Sequence, residues 1–425
     1  MNMREMKDSG IEWVGNIPAT WKSIQIKNLF TILSGATPTP DTDNWDGDVL
    51  WITPADYKTK DKYVSGGKRN ISQQGFNTCS TSMIPKGSII FSKRAPIGTV
   101  AINTEVLCTN QGCLSCVSKA DTCNDYYYYV MSVGTEHFEL LGSGTTFKEI
   151  SANSFSNCKL PCPDKCEQEK IASFLDERCS AFNCLISDIQ SQIEALEEYK
   201  RSVITEAVTK GLDPDVEMRD SGIAWVGDIP AHWITHPLYF YFGERKNKNA
   251  LGLETNLLSL SYGKIIRKDI NSNGGLLPES FNTYNIIEKD DIIIRPTDLQ
   301  NDKRSLRTGI AREHGIITSA YIAMKAIKAV NPEYFHYLLH AYDVMKVFYN
   351  MGNGVRQGLN FSEFSRLMVF EPAIEEQNAI VSYLKEKCDE IDLAIAEKKQ
   401  QIETIEEYKK SLIFEYVTGK KEVQA

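Results

Sequence analysis

Several stretches of the chain set residues at spacings that reactive sites use. Cys108, Cys113, Cys116 and Cys123 fall at C-x4-C-x2-C-x6-C, and a thiolate quartet is what a structural zinc ion takes. That spacing fits no common zinc pattern, and GCLSCV reads instead as a buried strand carrying small apolar thiols. NPEYF at Asn331 approaches the [DN]-P-P-[YFW] loop of an adenine methyltransferase, but Glu333 stands where the second proline belongs. GSGTT at Gly142 follows helix-like residues, whereas a phosphate-cradling glycine loop follows a strand. PDVEMRD at Pro214 crowds acids as a nuclease would, yet it belongs to a solvated linker. No P-loop is present, and the six histidines form no nucleophile–base pair and no metal cluster.

The elements that carry these residues belong to a chain of 425 residues, 24% charged and 42% hydrophobic. That is room for two or three domains of a soluble globular protein. No apolar run approaches the ~18–20 residues of a bilayer span, and MNMREMKDSG has no apolar signal region. The expected compartment is the cytoplasm, with no membrane partner. Eleven cysteines, ten of them before residue 185, suit free thiols. The net charge is −9, but 22–163 and 234–372 are slightly basic, and the acidity sits in 164–213 and 373–425. The acidic total therefore does not exclude a nucleic-acid partner.

The chain repeats itself. DSGIEWVGNIPATW from Asp8 and DSGIAWVGDIPAHW from Asp220 match at eleven of fourteen positions. EQEKIASFLDERC from Glu167 pairs with EQNAIVSYLKEKC from Glu376, and the register holds to EEYKRSVITEAVT and EEYKKSLIFEYVT. Each half is an opening motif, a large variable block and a long charged segment. In those segments apolar positions alternate steps of four and three, the coiled-coil period: Leu175, Cys179, Phe182, Ile186, Ile189, Ile193 and onward, then Leu384, Cys388, Ile391, Ile395, Lys398, Ile402 and onward. Asp164 and Glu167 after Pro163 suggest a capping box. A rod with one apolar stripe needs a partner. Connectivity makes the partner the other rod, running antiparallel and returning the C-terminus to the N-terminus. Pairing with another copy of the chain is the alternative. Trp13, Trp21, Trp225 and Trp233 recur in both halves and read as core anchors, with base-stacking platforms as the other reading.

At this point the residues resemble the specificity subunit of Type I DNA restriction–modification enzymes. The carriers are the doubled W-V-G-x-I-P-x-x-W, SGATPTPDTDNWDGDVLWITPADY from Ser34, GSIIFSKRAPIGTVAI from Gly87, TNQG from Thr109, and the block ends FKEISANSFSNCKLPCP and RQGLNFSEFSRLMVFEP. The resemblance spans essentially the whole chain. It implies an α/β fold: two mixed α/β target-recognition domains separated by two long antiparallel helices, an intrachain coiled coil, with a pseudo-two-fold internal repeat. The expected divisions are 1–163, a central helix over 164–213, a second domain over 214–372 and a C-terminal helix over 373–425. It also implies that the subunit is non-catalytic, that each domain reads one half of a bipartite site in double-stranded DNA, and that two modification subunits dock on the helices. Restriction subunits join when present. S-adenosylmethionine, ATP and Mg are expected in those partners, with no cofactor and no metal in this chain.

Base readout in a groove needs Arg or Lys toward guanine and Asn or Gln toward adenine, and phosphates take Lys, Arg and hydroxyls. In the first block the loop positions of those types are Thr37, Lys68, Arg69, Lys93, Arg94, Asn110, Gln111 and Lys148. In the second they are Arg267, Lys268, Arg295, Thr297, Lys303, Arg304, Arg307, Arg356 and Gln357. For each, a solvated surface charge is the alternative. Ile186, Ile193, Ile395 and Ile402 belong to the helix seam. Glu197, Glu198, Tyr199, Glu406, Glu407 and Tyr408 form the candidate docking face, or a face carrying only i,i+4 charge pairs. Two other classes compete with this reading: a self-sufficient methyltransferase or nuclease, and a coiled-coil adaptor without a DNA role.

Overall fold

The computed structural model describes residues 4–58, 61–143, 148–223, 225–270, 278, 280–297, 306–347 and 358–424. It divides into two compact units, Met1–Ile189 with Gln400–Ala425, and Gln190–Lys399.

The first unit is built on five strands: β1 (Phe30–Ser34), β2 (Tyr63–Val64), β3 (Ile89–Ser92), β4 (Val100–Asn103) and β5 (Cys113–Ser118), in the order β1-β5-β3-β4-β2. All neighbours are antiparallel except β2 and β4. Every residue of β3 and β4 is buried, because apolar layers cover both faces of the sheet. Alternation distributes the side chains. Ile89, Phe91, Leu114 and Cys116 join the core under helix α1 (Asn124–Val133), while Ile90 and Cys113 join Ile52, Ile84 and Leu107 on the other side. The CLSC thiols thus point to opposite faces and do not converge. A long helix, α2 (Lys165–Lys210), follows the block.

The second unit repeats this plan. Strands β6 (Phe242–Glu244), β7 (Ile292–Ile294), β8 (Thr308–Ile310) and β9 (Ile322–Ala326) lie in the order β6-β9-β7-β8, all antiparallel. Helix α3 (Pro332–Val344) and the long helix α4 (Ile374–Val417) follow. The order matches β1-β5-β3-β4, although the blocks hardly align in sequence. A sheet covered on both faces requires small or apolar residues all along its central strands, not particular identities. In both units a strand just after the opening motif pairs with the strand just before the long helix: Lys22–Gln25 with Lys159–Cys162, and Ile234–Pro237 with Met368–Glu371.

The repeated words account for the rest of the frame. The Trp21 indole donates to Glu167 at the head of α2 (2.8 Å), and the Trp233 indole donates to Glu376 at the head of α4 (3.0 Å). Both indoles are buried in their cores, as anchors would be. The next residue does the same work in each copy. Gln168 accepts the Cys123 N–H and donates to the Pro163 carbonyl; Gln377 accepts the Asn331 N–H and donates to the Pro372 carbonyl. Only half of the expected capping box forms. Asp164 accepts the Glu167 N–H (2.9 Å), but the Glu167 carboxylate goes to Trp21 and to Arg4 (2.6 Å). A partly shielded charge-assisted pair outcompetes a solvated backbone N–H.

Each unit contains the head of one long helix and the tail of the other. In the first, Phe174 meets Tyr416 (ring centroids 4.5 Å) and Phe182 meets Tyr408 (5.6 Å), so eight residues forward on α2 is eight back on α4. In the second, Lys398 donates to Gln192 (2.6 Å) and Lys200 pairs with Asp392 (2.6 Å), in the same opposite sense. The antiparallel intrachain pairing is therefore as expected. Tyr126 donates to the Val417 carbonyl (2.9 Å) and Tyr334 to the Val208 carbonyl (3.4 Å), each satisfying a helix tail. Gly211 and Gly419 end the two helices at φ +77° and +70°, the left-handed turn that favours glycine. Arg4 pairs with Glu422 (3.1 Å), bringing the two ends of the chain together in the first unit.

Candidate nucleic-acid interface

In the first unit, register places the end of β1 (Ser34 opposite Leu114), the end of β3 (Ser92 opposite Cys113) and the start of β5 at one level. The loops 35–40, 93–98 and 109–112 therefore leave the same end of the sheet. Gly35 is required there: a Cβ would lie 2.1 Å from the Thr109 carbonyl oxygen and 2.3 Å from that of Asn110. Thr37 and Gln111 are hydrogen-bonded to each other across the contact. Asn110 uses its side-chain oxygen on the Gly112 N–H (2.9 Å). Lys93 donates its N–H to Gly112 (2.9 Å). Its ammonium shares Glu149 with Arg94 (2.8 and 2.7 Å), and exposed Lys148 is the adjacent residue. Burial works to raise the Glu149 carboxyl, but the two cations prevail and hold it below the ordinary carboxylate range. Two positive charges thus meet one negative.

Two tryptophans continue the rim. Trp51 donates to the Ala36 carbonyl (3.1 Å) and Trp45 to that of Thr39 (2.9 Å), with the two rings edge to face at 5.2 Å. Arg69 lies over Trp45, 4.4 Å from the ring centroid, and forks onto Asp46 with Nε and Nη2 both at 2.9 Å. The Lys68 N–H reaches Asp56 (3.0 Å) while its side chain is exposed. All eight first-block candidates are thus gathered round one rim.

In the second unit, Ile294 stands opposite both Thr308 and Ile322. The end of β7 and the starts of β8 and β9 form the equivalent rim, with Arg295 bonded through its N–H to the Arg307 carbonyl (2.9 Å) and Thr297 exposed beyond it. Arg307 corrects the sequence reading. It is fully buried, its N–H bonds Asp343 and its guanidinium the Thr297 carbonyl, so it braces the rim from inside. Arg267 and Lys268 are not brought to the rim either. They end the hairpin Leu258–Ser261/Lys264–Arg267, whose tip glycine, Gly263, abuts Leu306 just ahead of β8. Four residues at ~3.3 Å each carry Arg267 about 13 Å from the tip glycine, where its Nε reaches both Glu313 carboxylate oxygens (2.7 and 2.9 Å) and its Nη2 joins one of them. Lys303, Arg304, Arg356 and Gln357 lie outside the described residues.

The tip itself displays two side chains that the sequence reading did not single out. Tyr262 is 80% exposed at φ +46°, with Lys264 beside it. The signal was available: a Y-G dipeptide between LSLS and KIIR is a two-residue hairpin turn, and such a turn displays its first side chain.

Along the helices, Ile193 and Ile395 are buried and Ile186 and Ile402 half-buried, whereas Glu197, Glu198, Tyr199, Glu406, Glu407 and Tyr408 are exposed. Asn331 of NPEYF is the cap of α3, accepting the Glu333 N–H (3.0 Å), and Pro332 opens the helix. Among the described residues no three metal-ligating side chains converge, and no helix is long and apolar enough to cross a membrane.

The geometry comes down to two α/β units of like strand order, each holding the head of one long helix and the tail of the other. The likenesses of this chain are to the specificity subunits of type I restriction enzymes. Residues 18–195 match the type I restriction modification DNA specificity domain. The Type I restriction enzyme MjaIX specificity subunit of Methanocaldococcus jannaschii is 36% identical over 44% of this chain, so the match spans less than half, 43%, of that relative. The putative MjaX specificity subunit of the same organism is 24% identical over 96% of this chain and 95% of its own. A solved chain from work on complex assembly and conformational transition of the type I R-M system shares the fold at a TM-score of 0.68, with 12% identity, over 94% of this chain and 98% of that one.

Proposed function

We propose that this chain is the non-catalytic DNA-recognition subunit of a type I restriction–modification complex, acting on a bipartite site in double-stranded DNA. Residues 1–163 and 214–372 each read one half of the site. The helices over 164–213 and 373–425 set the spacer and dock two modification subunits through the faces at Tyr199 and Tyr408. The observation that carries this reading is the pair of rims. Both sit at the same end of the same sheet plan, yet their loops share almost no sequence, while the tryptophan–glutamate clamps beneath them are identical in design.

The test exchanges residues 22–163 for the equivalent block of a relative and maps methylation by the complex with its modification subunits. One half of the site changes and the other stays; a change in both halves refutes the two-reader arrangement. Inserting one heptad into both helices adds ~10 Å, about three base pairs at ~3.4 Å each. The preferred spacer should lengthen or binding should fail, and an unchanged spacer refutes the ruler. Methylation by this chain alone with S-adenosylmethionine would favour the enzyme reading instead. DNA binding whose log K falls with log salt by several units excludes a plain adaptor.

A further inference from the structure

Building on the recognition reading above, we infer that Arg69 is the guanine-reading residue of the first unit, presented to the base edge by Asp46 and Trp45. A guanidinium carries five N–H donors in one plane. Asp46 takes one from Nε and one from Nη2. This leaves the Nη1 pair and the outer Nη2 hydrogen along the opposite edge, the two-point fork that matches guanine O6 and N7. The Trp45 ring beneath fixes the plane.

The support is itself held by backbone. Trp45 bridges Ile71, and the Asp46 N–H bonds the Asn70 carbonyl (3.0 Å). Asp46 sits at φ +61°, a costly conformation for a side-chain-bearing residue. Gly47 is pressed so closely on Ser72 that a Cβ would lie 2.5 Å from its Cα. An exposed ion pair alone would be worth little, but this one fixes orientation, which is what readout requires. The rim's other described cations differ in kind. Lys93 and Arg94 divide one carboxylate, and neither Lys68 nor Lys148 has a planar fork to offer, which suits phosphate positioning.

The test is a per-position methylation profile over a library of randomised sites, using the complex of this chain with its modification subunits. The wild type prefers a G·C pair at one position of the half-site that follows the 22–163 block. Arg69→Ala and Arg69→Lys should each lower discrimination at that pair about 10- to 100-fold, with the other half-site intact. Asp46→Ala should relax the same pair more mildly, because the fork remains but is no longer aimed. Three results overturn the assignment: an unchanged profile, a uniform loss at all sequences that would mark a phosphate contact, or relaxation in the other half-site. A wild-type profile with no divided site would instead defeat the recognition reading itself, with Arg69 not at issue.

Discussion

Removing the Glu167 carboxylate should unlock the first unit and leave the second intact. Glu167 is one acceptor for two donors, the buried Trp21 indole at 2.8 Å and Arg4 at 2.6 Å. Hydrogen bonds to a charged group are worth ~1.5–3 kcal/mol, and an indole N–H left orphaned in a core costs within the same range. Glu167→Ala should therefore cost about 2–3 kcal/mol. Glu167→Gln keeps an acceptor for the indole and loses mainly the charge of the partly shielded Arg4 pair, for about 1 kcal/mol. For a unit of roughly 200 residues, 1 kcal/mol moves Tm by ~2–4 °C. In scanning calorimetry Glu167→Ala should lower one transition by about 5–10 °C, and Glu376→Ala should lower the other through Trp233. In a Trp21→Phe background Glu167→Ala should cost clearly less, as a coupled pair requires. A shift below about 2 °C, or no coupling, would refute the claim that this contact secures the helix head.

Further outcomes follow from other contacts. Gly35→Ala drives a methyl into the Thr109 and Asn110 carbonyls; it should weaken recognition of the first half-site only, read by methylation mapping. The second unit should lose stability in acid, read as Tm against pH. Burial pushes His336 down to about 3 and His340 to about 4, so their neutral-form stability is whole above pH ~6.5 and falls by at most ~1.4 kcal/mol per pH unit per ring as the pH drops toward 4. Asp343, raised to about 6 by burial, opposes this below pH 6, but two rings outweigh one carboxyl. Replacing both histidines with Gln should flatten the slope. Tyr199→Ala should leave Tm within about 2 °C, since that ring is more than half exposed, while weakening capture of the modification subunits in a pull-down.

The long helices, their antiparallel pairing and the anchoring tryptophans were legible in the sequence, because periodicity and repetition are local signals that survive without a third dimension. So was the class of residue a rim would use. The sequence also laid Arg307 beside Lys303 and Arg304 as one basic run, and Arg267 beside a loop. Which of these faces outward depends on strand register, and register is a property of pairs of strands, not of either alone. Tertiary structure alone decided that Arg307 is buried, its backbone N–H on Asp343 and its guanidinium on the Thr297 carbonyl, that Glu167 leaves its cap for Trp21, and that Arg69 meets Asp46, twenty-three residues away. Each of these is a long-range contact that competes with a plausible local one, and burial, which no spacing reports, determines the winner.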